Sequence, residues 1–197
     1  MIYSVKSKKI SLETKRQGIH IILFVLAFLL KYLARWQMAG LLLLLLFFTV
    51  FLVPRLKLRA HLYRQVENYY SSGAVLYFLV LIVLVLIFPL PVVAAAWAIL
   101  ALGDGTATLV GKNFKVKELP WNRNKSYAGT AAFLFFGTIG CMILLNWMLP
   151  DLNFPFLLSL SLKTTVVAAL VESLPWKIND NISVPIASAL VMNLLFG

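Results

Sequence analysis

The run Pro91-Val92-Val93-Ala94-Ala95-Ala96-Trp97-Ala98-Ile99-Leu100-Ala101-Leu102-Gly103-Asp104-Gly105-Thr106-Ala107-Thr108-Leu109-Val110 decides the fold. A helix needs about 17–25 predominantly apolar residues to cross the hydrocarbon of a bilayer, and this run supplies them with one charge, Asp104. A charge in such a segment costs at least about 2.5–3.5 kcal/mol on insertion scales, which makes Asp104 a candidate functional residue. The run is bounded upstream by Phe88-Pro89-Leu90-Pro91, where proline removes donors and stops a helix.

The rest of the chain follows the same pattern. Of its 197 residues 61% are hydrophobic and 13% charged, with a mean hydropathy of +0.90. Soluble domains average about 45–50% apolar and about 25% charged, so the solvent of this chain is lipid. Further spans are expected at Gly18–Trp36, Met38–Val53, Gly73–Phe88, Ala128–Leu149, Phe154–Val171 and Val184–Phe196, with Pro185 in the first turn of the last. The expected fold is therefore all-α, a multi-pass integral membrane protein of about seven transmembrane helices. A basic tail, residues 1–17, precedes a single transmembrane catalytic domain, 18–197. The tail is polar and basic and no small-residue cleavage site closes the first apolar run, so that run reads as a retained helix. A single cysteine, Cys141, excludes a disulfide framework and reads as a packing residue.

The net charge of +11 would suggest nucleic acid in a soluble protein. In a membrane protein, topology and anionic lipids account for it, and no nucleic-acid partner is expected. With the N-terminus in the cytosol, the inner segments carry Lys6, Lys8, Lys9, Lys15 and Arg16, then Arg55, Lys57, Arg59 and Arg64. The third inner loop carries Lys112, Lys115, Lys117, Arg123 and Lys125, and the last carries Lys177. Only Lys31 and Arg35 fall outside, with Lys163 inside a span, where it either snorkels or lines an interior cavity.

This orientation brings Asp104, Glu172, the basic loop and the segment Trp176–Ser183 to one cytosolic face. Asp104 and Glu172 are expected near the C-terminal ends of the fourth and sixth helices, the end where the helix dipole disfavours a carboxylate. A cation between them removes the penalty, and Mg²⁺ takes one or two carboxylates together with phosphate oxygens and water. Gly103 and Gly105 flank Asp104, loosening the helix and allowing close approach, and Thr108 lies one turn on. Lys125 and Ser126 precede the fifth helix, whose N-terminus suits an anion, and Lys112 and Arg123 can clamp further phosphate oxygens. A lipid-headgroup patch would also explain these cations, but not Asn122, Asn124 and Ser126 among them. The surplus of Asn179, Asp180 and Asn181 before the last helix fits either helix capping or ligand and metal contact. His20 and His61 are isolated and read as interfacial.

Gly103-Asp104-Gly105-Thr106-Ala107, Gly111-Lys112, Asn124-Lys125-Ser126 with Gly129, Glu172-Ser173-Leu174-Pro175, and Asp180-Asn181 with Val184-Pro185 together resemble the CTP-dependent polyprenol kinase family. That family includes phytol kinase, dolichol kinase and the fungal-type diacylglycerol kinase, and the likeness covers roughly Arg55 to the C-terminus. One departure is N-terminal: where the family often has an Arg-Lys pair before a His, Arg16-Gln17 precedes His20 here. The resemblance implies transfer of the γ-phosphoryl group of CTP to a membrane-embedded isoprenoid or other lipid alcohol. The expected site has Asp104 and Glu172 on Mg²⁺ and Asp104 or Asp180 as base. Lys112, Arg123, Asn124, Lys125, Ser126 and Asn181 are expected on the nucleotide. A cytidylyltransferase making a CDP-lipid is the alternative, although its His-Gly-Gly and Asp-Arg-x-Asp signature is absent. A lipid-binding or transport protein without chemistry is the second. The expected location is a bacterial plasma membrane, with membrane lipids as neighbours.

Overall fold

A computed structural model describes residues 12–56, 71–114 and 117–196. Among these residues the chain is helical and strand-free apart from one isolated antiparallel bridge, Glu118 to Ser126. Seven rods are present among them. α1 (Leu12–Ile22) continues as 3₁₀ turns over Leu23–Lys31. α2 (Arg35–Phe47) ends in a π turn, Phe48–Leu52, and α3 is Ser72–Ile87. α4 is the continuous rod Leu90–Asn113, made of Leu90–Ala98, a π turn Ile99–Asp104, and Gly105–Asn113. α5 is Tyr127–Met148, α6 Phe154–Ser173 and α7 Asp180–Phe196.

The all-α membrane architecture stands, with a correction to the spans. By length and composition four helices can cross a membrane, Arg35–Leu52, Leu90–Asn113, Tyr127–Met148 and Phe154–Ser173; α3 and α7 are apolar but shorter. The first expected span is not one α-helix: it begins at Leu12, inside the expected tail, and is drawn out into 3₁₀ turns from Leu23. Such turns rise about 2.0 Å per residue against about 1.5 Å, so the same residues reach further. Lys6, Lys8, Lys9, Lys57, Arg59, His61, Arg64 and Lys115 lie outside the described residues.

α4 is the axis of the bundle. Val93 to Ala101 are fully buried, and the rod packs on α1, α5 and α7. Association between helices in lipid depends on close contact through small residues, which this rod and α5 supply. A Cβ on Gly137 of α5 would lie 2.9 Å from Thr165 Cγ2 of α6 and 3.5 Å from the Gly103 Cα. One on Gly129 would lie 3.0 Å from the Ala107 carbonyl oxygen.

Asp104 does not end its helix. α4 runs on to Asn113, so the carboxylate sits inside the rod, on its π turn. The glycines on either side widen the helix without stopping it, and Thr106 Oγ1 donates back to the Leu102 carbonyl, which also accepts from the Gly105 N–H. α7 also differs from expectation: it starts at Asp180, which puts Pro185 inside the helix rather than in its first turn.

The two basic residues expected on the outer face sit together at one end of the bundle. Lys31 Nζ donates to the Trp147 carbonyl at 2.7 Å and lies 4.8 Å above its ring, and Arg35 donates to the Leu86 carbonyl. Each thereby meets the C-terminal carbonyls of a helix, α5 and α3, where a cation is favoured. The loop carrying Arg123 and Lys125 joins the opposite end of α5, about 33 Å away at about 1.5 Å per residue. Lys163 is exposed on the outer side of α6, so it does not line an interior cavity.

Candidate active site

At the α5 N-terminal end three carboxylates converge. One ligand oxygen from each of Asp104 (α4), Glu172 (end of α6) and Asp180 (start of α7) lies within 4.8 Å of the others. Asp104 and Glu172 are buried, with 6% and 3% of their surfaces exposed, so their charges interact through little water. Lys125 reaches into this group: its Nζ donates to Glu172 Oε1 and, at 2.8 Å, to Asp180 Oδ2. Burial opposes the charge on Lys125, but Glu172, Asp104 and Asp180 outweigh it and hold the ammonium above the ordinary lysine range.

Three carboxylates and one ammonium leave two formal negative charges in a site whose Asp104 and Glu172 are shielded from water. Glu172 Oε2 is buried with no hydrogen-bond partner. A buried, unsatisfied carboxylate oxygen is costly and calls for a cation or donor. Hard divalent cations prefer such all-oxygen sets, so the residues present fit Mg²⁺.

The scaffold around the cluster explains several expected ligands differently. Ser126 is the N-cap of α5, accepting from Gly129 N at 3.1 Å, and Gly111 packs against it. Asn122 Nδ2 donates to the Ser173 and Leu174 carbonyls, both at 3.1 Å, closing the C-terminus of α6 beside Glu172. Asn124 uses its backbone N–H on Asn122 Oδ1 and is exposed. Asn181 Nδ2 donates to the Gly73 carbonyl at 2.8 Å, tying α7 to α3, and Asn179 Oδ1 accepts from Asn181 N. Of Asn179, Asp180 and Asn181, only Asp180 therefore turns its side chain into the cluster. Lys112 and Arg123 are exposed at the mouth.

The cluster opens into a cavity of about 1580 Å³ that also takes in residues sequence reasoning left aside. His20 is not interfacial but faces this cavity. Its Nε2 lies 3.1 Å from the Leu100 carbonyl oxygen on the π turn, and its ring meets Tyr77 edge-on with centroids 4.6 Å apart. Tyr77 accepts from Trp97 Nε1 at 2.6 Å, so this wall is cross-linked to α4. Arg16, one turn before His20 on the same face, donates to Ser71 Oγ at 3.2 Å and lines the cavity. The four-residue spacing of Arg16 and His20 was the signal that could have placed both on one inner face.

Curated plant proteins share this sequence pattern. A probable phytol kinase from Triticum aestivum is 33% identical over 133 residues, 64% of this chain and 44% of that protein. A probable phytol kinase 2 from Oryza sativa subsp. japonica is 39% identical over 119 residues, 54% and 36% of the two chains. A farnesol kinase from Arabidopsis thaliana is 34% identical over 114 residues, again 54% and 36%. The chain is a homologue of the phytol and farnesol kinases. Those names fit the CTP-dependent polyprenol kinase family that the motifs resemble. The matches cover less than half the length of these relatives. All three are named as chloroplastic, so they lend no support to a bacterial plasma membrane. No family model and no solved structure matches the chain.

Proposed function

We propose that this chain is a membrane-embedded kinase that transfers the γ-phosphoryl group of CTP to an isoprenoid alcohol. The carrying observation is the trio of buried Asp104 and Glu172 with half-buried Asp180, bridged in part by Lys125 and open to a cavity with both polar and apolar walls. The relatives' names supply the reaction class. The cations Lys112, Lys117, Arg123 and Lys177 stand at the same end of the bundle, which favours a cytosolic face for the site.

Phosphoryl transfer asks a protein chiefly for positioning and charge neutralisation. Asp104 and Glu172, with Asp180 beside them, would hold Mg²⁺, which when bound neutralises phosphate charge as the leaving oxygen separates. Lys112 and Arg123 at the mouth receive the nucleotide phosphates, and Lys125 can turn from the carboxylates toward them. The alcohol oxygen attacks the γ-phosphorus, the bond from that phosphorus to the β-phosphate bridging oxygen breaks, and CDP leaves. In this reading Asp104 takes the hydroxyl proton, with Asp180 as the other carboxylate able to do so. Asp104 lines the cavity together with Tyr77 and His20, on the side where its apolar wall begins.

The test supplies purified protein in nanodiscs with CTP or ATP labelled at the γ position and a panel of phytol, farnesol, geranylgeraniol and diacylglycerol. Label from CTP in the isoprenoid lipid is the expected result. Label only in pyrophosphate means a cytidylyltransferase, and no nucleotide use with any lipid removes the enzymatic reading.

A further inference from the structure

The cavity that holds the carboxylates does not end at them. It continues between α1, α2 and α3, where its wall is Ile19, Leu23, Phe48, Thr49, Val53 and Phe78. This arm is apolar apart from one hydroxyl, and Thr49 spends that on the Leu45 carbonyl of its own helix at 2.8 Å. Val53 and Phe78 are buried, whereas Ile19 and Phe48 are about two-fifths exposed, at 42% and 43%. Ile19 and Phe48 are thus the least covered residues of this wall.

Two further observations point to a ligand. Sites for one small molecule hold about 300–1,000 Å³, and this cavity holds about 1580 Å³, room for a second ligand beside a nucleotide. Among the described residues both π turns lie on its wall, one carrying Asp104 and the other Phe48 and Thr49. Such turns cost regular hydrogen bonding and gather at functional sites. Thr49 within one turn, and Thr106 two residues past the other, each bond back to the carbonyl four residues earlier.

We infer that the arm between Leu23, Phe48, Thr49 and Phe78 holds the hydrocarbon chain of the acceptor alcohol, which enters sideways from the bilayer past Ile19 and Phe48. This rests on the kinase reading and adds to it where the substrate lies and which residues set its length. The hydroxyl end then meets Asp104, and the nucleotide comes from the opposite, cationic mouth. The two substrates need not pass each other.

Two measurements test this. The first is photolabelling of the wild-type protein in nanodiscs with a farnesol analogue carrying a diazirine at its tail. Label is expected on the peptides bearing Leu23, Phe48–Val53 or Phe78, reduced at least fivefold by excess geranylgeraniol. Label that the competitor does not reduce, or label confined to the outer faces of α5 and α6, overturns the inference. This readout needs no turnover, so it stands or falls apart from the kinase reading. The second compares Thr49→Trp with wild type on a five-carbon and a twenty-carbon prenol. The ratio of kcat/KM for the long to the short alcohol is expected to fall at least tenfold. An unchanged ratio in a protein that still folds also overturns the inference.

Discussion

α2 and α4 are both long and apolar enough to span a bilayer, yet they occupy opposite roles. In the most apolar stretch of α4, 78% of residues are buried inside the protein, against 17% in α2. Leu41–Leu46 of α2 is bulky, and Leu43 and Leu44 point outward. Ala94, Ala95, Ala96, Ala98, Ala101, Gly103 and Gly105 of α4 are small and buried. Hydropathy cannot separate the two, because lipid and a protein interior are equally apolar. Side-chain size can, since only the slender rod lets neighbours approach closely enough to hold it. The central helix is where a carboxylate can be surrounded, and α4 carries one.

Substitutions that exploit this contrast should sort by helix. The largest effect is expected at the axis: Asp104→Asn should lower turnover roughly 10³-fold while the protein stays folded, since it removes a charge aimed at the reacting centre. Steady-state assays beside a gel-filtration profile check this, and near-normal turnover would exclude Asp104 from the chemistry. Next is Lys125→Met, which strands Glu172. Removing one partner of a buried pair costs about 3–5 kcal/mol, and with Lys125 21% exposed the loss should be near the lower end. Millimolar Mg²⁺ should recover more melting temperature in this variant than in wild type, measured by differential scanning fluorimetry. Equal recovery would argue against a cation site.

The same pair has a pH signature. A lysine held above its ordinary value contributes stability that is complete below that value and is lost only as pH rises through the raised one. The wild-type melting temperature should therefore show no loss from this pair between ~pH 8 and ~pH 10. A fall across that window in wild type but not in Lys125→Met would contradict it. The smallest effects come from matched glycines. Gly137→Ala should destabilise by about 1–3 kcal/mol, because its Cβ meets Thr165 at 2.9 Å. Gly40→Ala in α2 meets nothing within 4 Å and should be neutral or slightly stabilising. Thermal unfolding of the two variants side by side measures the contrast between axis and periphery directly.

The membrane class, the Pro89 break and the gathering of Asp104, Glu172 and the Lys125 loop were all readable from the chain, because they follow from composition, proline chemistry and isolated charges in apolar surroundings. The roles of Asn122, Asn181 and Ser126 were not. A polar side chain beside a helix end can serve a ligand or a backbone carbonyl equally well, and only the positions of α3 and α6 decide that Asn181 serves Gly73 and Asn122 serves Ser173. The π turns also left no clear mark: Gly103 and Gly105 announce a loosened helix, but nothing in Phe48–Leu52 does. His20 looked solitary because its neighbours, Tyr77 and Leu100, are far away in sequence.

The final turns of α4 reach nine residues past Asp104, about 14 Å at about 1.5 Å per residue. Residues of the 117–126 and 174–179 connections line the same cavity beside them. In the proposed reaction a phosphate passing these residues would reach carboxylates that are 6% and 3% exposed. Such burial would restrain waste of the nucleotide by hydrolysis in that reaction, and sideways entry would spare the greasy alcohol from climbing out of the bilayer to collect its phosphate.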